Sequence, residues 1–164
     1  MQRIGNYTMF FGADDALSNW HRCRFVYRGH AFSSVDQFMM FSKAKLFGDE
    51  QSAAAILATH DPRKQKAIGR KVAGFESAIW ESKRESIVFV GCREKFSQNA
   101  RLKDVLLSTD PTELVEASPW DCIWGVGLKA DDPEIGNPLK WRGLNLLGKT
   151  LTHVRGVLDP RSHS

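Results

Sequence analysis

The chain is 164 residues long, with a formal charge of +4 and an isoelectric point near 9.1. Hydrophobic residues at 42% and charged residues at 26% exclude a disordered chain, and no apolar run approaches the ~18 residues of a membrane span. The length fits one compact domain, 1–164 with its core at about 8–158, and Met1-Gln2-Arg3-Ile4 opens no signal peptide, so a cytoplasmic protein is expected.

In chain order, residues 7–11 have strand character, and Leu17-Ser18-Asn19-Trp20 is a polar turn carrying one aromatic. Residues 23–27 alternate and are rich in β-formers. Arg28-Gly29 is a turn signal and residues 30–32 resume the pattern, which predicts a short hairpin. From Ser34 the period becomes helical. Ser34 and Gln37 fit a capping box, Val35, Phe38, Met39 and Leu46 line one side, and Gly48 is placed to end the helix. Residues 49–60 predict a second helix. Asp61-Pro62, an N-cap followed by an N1 proline, opens a third that reaches about Val72. Residues 76–96 are the longest helical run, with Ile79, Trp80, Lys83, Ile87 and Val90 at helix spacing, and 99–107 form another helix. Short strands are predicted at 114–117 and in the Gly-broken run 123–128, then a polar loop at 129–140. The last helix runs over 144–158, with Leu144, Leu147, Leu151, Val154 and Leu158 as a core stripe. The sum is mainly α with a small β part.

Five Trp and ten Phe against two Tyr imply either a strongly aromatic core or a stacking surface for a flat ligand. Cys23, Cys92 and Cys122 are odd in number and widely spaced, with no CxxC pair. They read as three buried free thiols, and no metal site is expected. The basic stretch Arg63-Lys64-Gln65-Lys66, followed by Arg70-Lys71, reads as a solvated helix face or as a phosphate contact.

Three segments combine residues that can do chemistry. On the first helix Asp36 and Lys43 lie two turns apart on nearly one side, with Met40 between them and Phe47 continuing the row. The row is either a solvated ion pair or a covered second face. In Trp120-Asp121-Cys122-Ile123-Trp124-Gly125-Val126-Gly127 two Trp bracket an acid. This suits a base stacked on Trp120 or Trp124 and oriented by Asp121, with Gly125 admitting close approach, or equally a buried Trp pair with Asp121 capping a turn. Gly125-Val126-Gly127 lacks the third glycine and following helix of a dinucleotide fingerprint. On the last helix Asn145, Gly148, Thr152 and Arg155 share the face beside the leucine stripe. Asn145 is either a ligand donor at a helix start that favours phosphate or a plain cap.

These motifs, taken together, resemble the NADAR family. They are Leu17 to Trp20, Ser34 to Met40, Lys43-Ala44 with Leu46 to Asp49, Gly69 to Val72, Lys95 to Asn99, Leu114 to Ser118, Trp124 to Leu128, and Trp141-Arg142-Gly143 with Asn145 to Gly148. Order and spacing match from about residue 8 to residue 158. The resemblance implies a mainly helical α+β fold, a single-domain orthogonal helical bundle with a small N-terminal β-hairpin. It implies an N-glycosidase, without cofactor, metal or membrane. Its substrate joins ribose to an exocyclic amine of a heterocycle and carries phosphate. That is either a ribosylaminopyrimidine phosphate of riboflavin biosynthesis or ADP-ribose on guanine in nucleic acid. Asp36 and Lys43 are the expected catalytic groups, assisted by Asp121. Asn19, Trp20, Met40, Trp120, Trp124, Gly125, Asn145, Gly148 and Arg155 are expected to bind substrate. The family usually carries Glu where this chain has Asp36, one methylene shorter. That difference leaves a second reading, a module that binds ADP-ribose or NAD-type ligands without cleaving them.

Overall fold

A computed structural model describes residues 1–164 as six α-helices and five short strands. They form two compact units, one from Met1–His21 and Ala100–Ser164, the other from Arg22–Asn99. No helix is long and apolar enough to cross a membrane.

In the unit made from both chain ends, β1 (Gln2–Ile4) pairs antiparallel with β2 (Tyr7–Phe10), and β2 pairs in parallel with β5 (Glu113–Glu116). β2 and β5 fall on the strands expected at 7–11 and 114–117, whereas β1 and the pairing were not expected. Strand β1 is too short and polar to show a period. α5 (Ala100–Ser108) precedes β5, and α6 (Leu146–Leu158) packs against it. Met9, Val115, Ala117, Val126, Leu128 and Ile135 form the buried cluster, with Trp141 against it, its Nε1 donating to the Ile135 carbonyl at 2.7 Å.

Residues 123–128, expected as a strand, form none. Their carbonyls face a different partner. Leu146 and Leu147 N–H donate to the Ile123 and Trp124 carbonyls at 3.1 Å, Asn145 N–H to Gly125, and Arg142 N–H to Val126 at 2.8 Å. Gly127 at φ +73 turns the chain out of any ladder. The final helix also starts two residues later than expected. Asn145 sits in the left-handed region at φ 53, which interrupts the period, and Leu144 is left exposed.

The second unit opens with the hairpin β3 (Phe25–Tyr27) and β4 (His30–Phe32), joined by the expected Arg28-Gly29 turn, both residues at positive φ. α1 (Val35–Leu46) follows. The Ser34 hydroxyl caps Gln37 N–H at 3.0 Å, but the Gln37 amide oxygen accepts from Ser33 N–H at 2.7 Å, so the box closes one residue early. α2 (Glu50–Ala58) is capped by Asp49, whose carboxylate accepts from Ser52 and from Ala73 N–H. Those bonds hold the Asp49 carboxyl below the ordinary range. α3 (Pro62–Gly69) is capped by Asp61 and ends three residues before the predicted limit. α4 (Ser77–Gln98) buries Val88, Gly91, Cys92, Lys95 and Phe96. The expected α4 row differs: Ile79 and Lys83 are exposed, and Trp80, Ile87 and Val90 only half-buried.

Phe, not Trp, builds the buried core. Phe10, Phe25, Phe32 and Phe96 are fully buried, whereas no Trp is. Nor are all three thiols buried: Cys23 is half-buried, Cys92 buried and Cys122 exposed. Burial pushes the Cys92 thiol up to about 12, against the pull of nearby Lys95. At pH 8 an alkylating reagent is therefore expected to label Cys122 and leave Cys92 intact until the protein is unfolded. Native-state labelling of Cys92, read by peptide mass spectrometry, would contradict that burial.

Candidate active site

Asp36 stands in the first turn of α1, half-buried, and Lys43 two turns on. The Lys43 ammonium lies 4.6 Å from the Phe75 ring centre and 5.6 Å from that of Trp80. Phe75 in turn meets Phe47 edge-on at 5.3 Å. The row that alternation alone leaves ambiguous is thus a covered face, walled by aromatics from the 70–76 connection and from α4. Burial lowers the Lys43 pKa from its ordinary value, and the like charge of Arg70 lowers it further. The two ring faces favour the ammonium and act in the opposite sense. The net result is a lysine closer to deprotonation than a surface one, on the same helix side as a carboxylate.

Met40, expected at the substrate, fills a helix contact instead. Gly69 of α3 packs against its thioether so closely that a Cβ there would collide with Met40 Sδ. Lys95 was not expected as part of this region. Lys95 is 1% exposed, and both Lys95 and Asp36 act electrostatically on the buried Cys92 thiol. A lysine within an apolar α4 face was the one available signal, because a buried lysine is seldom tolerated without a compensating charge.

The other unit holds the remaining expected residues, and its geometry gives several of them structural work. Asp121 Oδ1 accepts from Ile123 and Trp124 N–H, both at 2.8 Å, closing a turn. Asn145 Oδ1 accepts from Glu116 N–H and its Nδ2 donates to the Leu114 carbonyl, each at 3.0 Å, so its amide ties α6 to β5. The first N–H groups of α6 are taken by the 123–124 carbonyls, which removes the phosphate site expected there. Gly125 and Gly148 face protein backbone, not an opening. A Cβ on Gly125 would lie 2.9 Å from the Asp121 carbonyl, and one on Gly148 would overlap the Leu114 carbonyl. Arg155 is buried and donates to Thr109 Oγ1 at 2.9 Å, with Asp110 at 4.0 Å. Asn19 is buried, Trp124 half-buried and Trp20 exposed, while Trp120 is 82% exposed and free to stack. No group of three or more His, Cys, Asp or Glu converges as a metal set.

A mainly helical α+β fold with small sheets, carrying a carboxylate and a half-buried lysine on one helix, defines the class. The NADAR domain family matches residues 9–159, through both units, and the chain belongs to that family. Among its relatives is the protein irg-1 of Caenorhabditis elegans, 40% identical over 132 residues, 79% of this chain but 62% of the worm protein. N-glycosidase R617 of Acanthamoeba polyphaga mimivirus is 39% identical over 160 residues, covering 91% of this chain and 94% of the viral one. The NMR structure of the E. coli protein YbiA matches with a TM-score of 0.77 and 26% identity, over 93% of this chain and 84% of that one.

Proposed function

We propose that this protein is an N-glycosidase that hydrolyses the bond between ribose and an exocyclic heterocyclic amine. The observation that carries the reading is Lys43, a lysine of lowered basicity held between aromatic rings on the helix side that also bears Asp36. The name of the viral relative agrees with it. The substrate first opens to an imine as its ring C–O bond breaks. The neutral Lys43 amine adds to that carbon and the heterocyclic amine leaves with a proton. Water then hydrolyses the lysine imine, freeing the sugar and restoring the amine. Asp36 supports the positive charge on the anomeric carbon and guides water to it. No metal or cofactor enters this route.

Two substrates meet this chemistry, a ribosylaminopyrimidine phosphate and ADP-ribose on guanine in nucleic acid. Arg63, Lys64, Lys66, Arg70 and Lys71, all exposed, support the nucleic acid, whose phosphates such a basic face attracts. Trp120 gives an exposed ring on which a base can stack. The test is hydrolysis of both substrates side by side, read by mass spectrometry. Release of ADP-ribose from the oligonucleotide alone is the expected result, and cleavage of the metabolite alone would overturn the choice. Asp36→Glu is expected to raise the rate by up to about 100-fold, because a shortfall of about 1 Å in carboxylate reach is that expensive. If neither substrate is cut by either form, the protein is a binding module.

A further inference from the structure

The unit formed by Arg22–Asn99 contains a cavity of about 460 Å³ that the proposed reaction does not use. Neither Asp36 nor Lys43 lines it. At 3.6 residues per turn its α1 residues Phe38, Phe41, Ser42, Lys45 and Leu46 stand roughly 80° to 180° away from Asp36 around the helix. Phe38, Phe41, Leu46 and Ile87 make an apolar interior. The two Phe pack against rings that also line the cavity, Phe41 against His30 at 5.2 Å and Phe38 against Tyr27 at 5.5 Å. The rim is cationic: Arg28 from the hairpin turn, Lys45 from α1 and Lys83 from α4. No lining residue is acidic. The one carboxylate in contact with the rim is Glu50, which binds Lys45 at 2.8 Å and leaves Arg28 and Lys83 in excess. Arg28 is also held at φ 48 with its guanidinium 5.2 Å from the Tyr27 ring centre, so its charge is presented at the mouth.

From this we propose that the cavity is a second ligand site, for a free mononucleotide-class compound with a flat ring inside and its phosphate on Arg28 and Lys83. The volume falls within the ~300–1,000 Å³ of small-molecule sites, room for one nucleotide and no more. Aromatic walls favour a ring over an alkyl chain, and the forked guanidinium suits a phosphate better than a carboxylate of single charge. Ser42, the His30 imidazole and the Tyr27 hydroxyl are the uncharged polar groups among the lining residues available to the base.

The experiment is a titration of the ¹⁵N-labelled protein with adenosine 5′-monophosphate, with adenosine, inorganic phosphate and a short oligothymidylate run in parallel. Saturable shifts are expected around Arg28, Ser42, Lys45 and Lys83, with adenosine and phosphate each binding at least about tenfold more weakly than the nucleotide. The double variant Arg28→Asn, Lys83→Gln alters two exposed residues, and Asn accepts the left-handed backbone at position 28. It should weaken the nucleotide by about tenfold or more and leave hydrolysis unchanged. The Lys43→Ala variant should bind it as the wild type does. Absence of saturation, shifts that survive the double substitution, phosphate binding as tightly as the nucleotide, or binding of the oligothymidylate alone would each overturn the proposal.

Discussion

Lys43→Ala is expected to lower the rate of ribose release by about 10²–10⁴-fold, the range a positioned proton-transfer or nucleophilic group supplies. The loss should fall on kcat, because the amine acts on the opened sugar and not on the bound ground state. Borohydride added during turnover should leave the sugar on Lys43 of the wild type and nothing on the variant. A variant that turns over at the wild-type rate would remove lysine from the route altogether. The pH profile offers an independent check. The neutral amine is the reactive form, so the rate should rise with pH and level off below the ordinary lysine value of 10.5. Arg70→Gln removes the like charge that helps lower that pKa. The rising limb of kcat should therefore move to higher pH, while its plateau at saturating substrate stays as it was. A limb that does not move would mean that Lys43 is not the titrating group.

The largest expected loss of stability is at Gly148. Its missing side chain leaves room for the Leu114 carbonyl, and the Asn145 amide atoms lie 2.5 Å from where a Cβ would stand. Gly148→Ala therefore forces β5 away from α6 and strains the two bonds that Asn145 makes to it. Overpacking together with those bonds amounts to about 2–4 kcal/mol. A lower urea midpoint at unchanged slope would report it. Gly156 on the same helix is the control, since a Cβ there meets nothing within 4 Å. Gly156→Ala should stabilise by about 0.4–1 kcal/mol through the unfolded chain alone. If Gly148→Ala matched it, the close approach of strand and helix would be wrong.

The elements that the sequence announced are those whose ends are written in side chains. Ser34, Asp49 and Asp61 each cap the helix expected after them, and Arg28-Gly29 turns the expected hairpin. What stayed hidden depends on partners far along the chain. Residues 123–128 carry a strand's composition, yet their carbonyls serve the start of α6, which no local pattern encodes. Leu144 fits the leucine period, but Asn145 at φ 53 starts the helix only after it. The site shows the same division. Asp36 and Lys43 on one helix side were legible from spacing, because both belong to α1. The wall around Lys43 was not, because Phe75 and Trp80 arrive from another part of the chain. Asn145, Gly125 and Gly148 were expected at the substrate from the family resemblance, with a plain cap as the other reading of Asn145. Amides and glycines suit backbone contact just as well, and here that contact is with β5 and its neighbours.

The parallel pairing of β2 with β5 also sets an order of events during synthesis. Tyr7 pairs with Glu113, so β2 leaves the ribosome long before its neighbour exists. The hairpin and first four helices find their partners within Arg22–Asn99 and can fold as that stretch emerges. Met1–His21 must wait, with Met9 and Phe10 uncovered, until β5 and then α6 have been made. Until then β2 is paired on one edge alone, with β1, and the nascent chain carries an open strand edge beside uncovered apolar side chains, which a chaperone can hold.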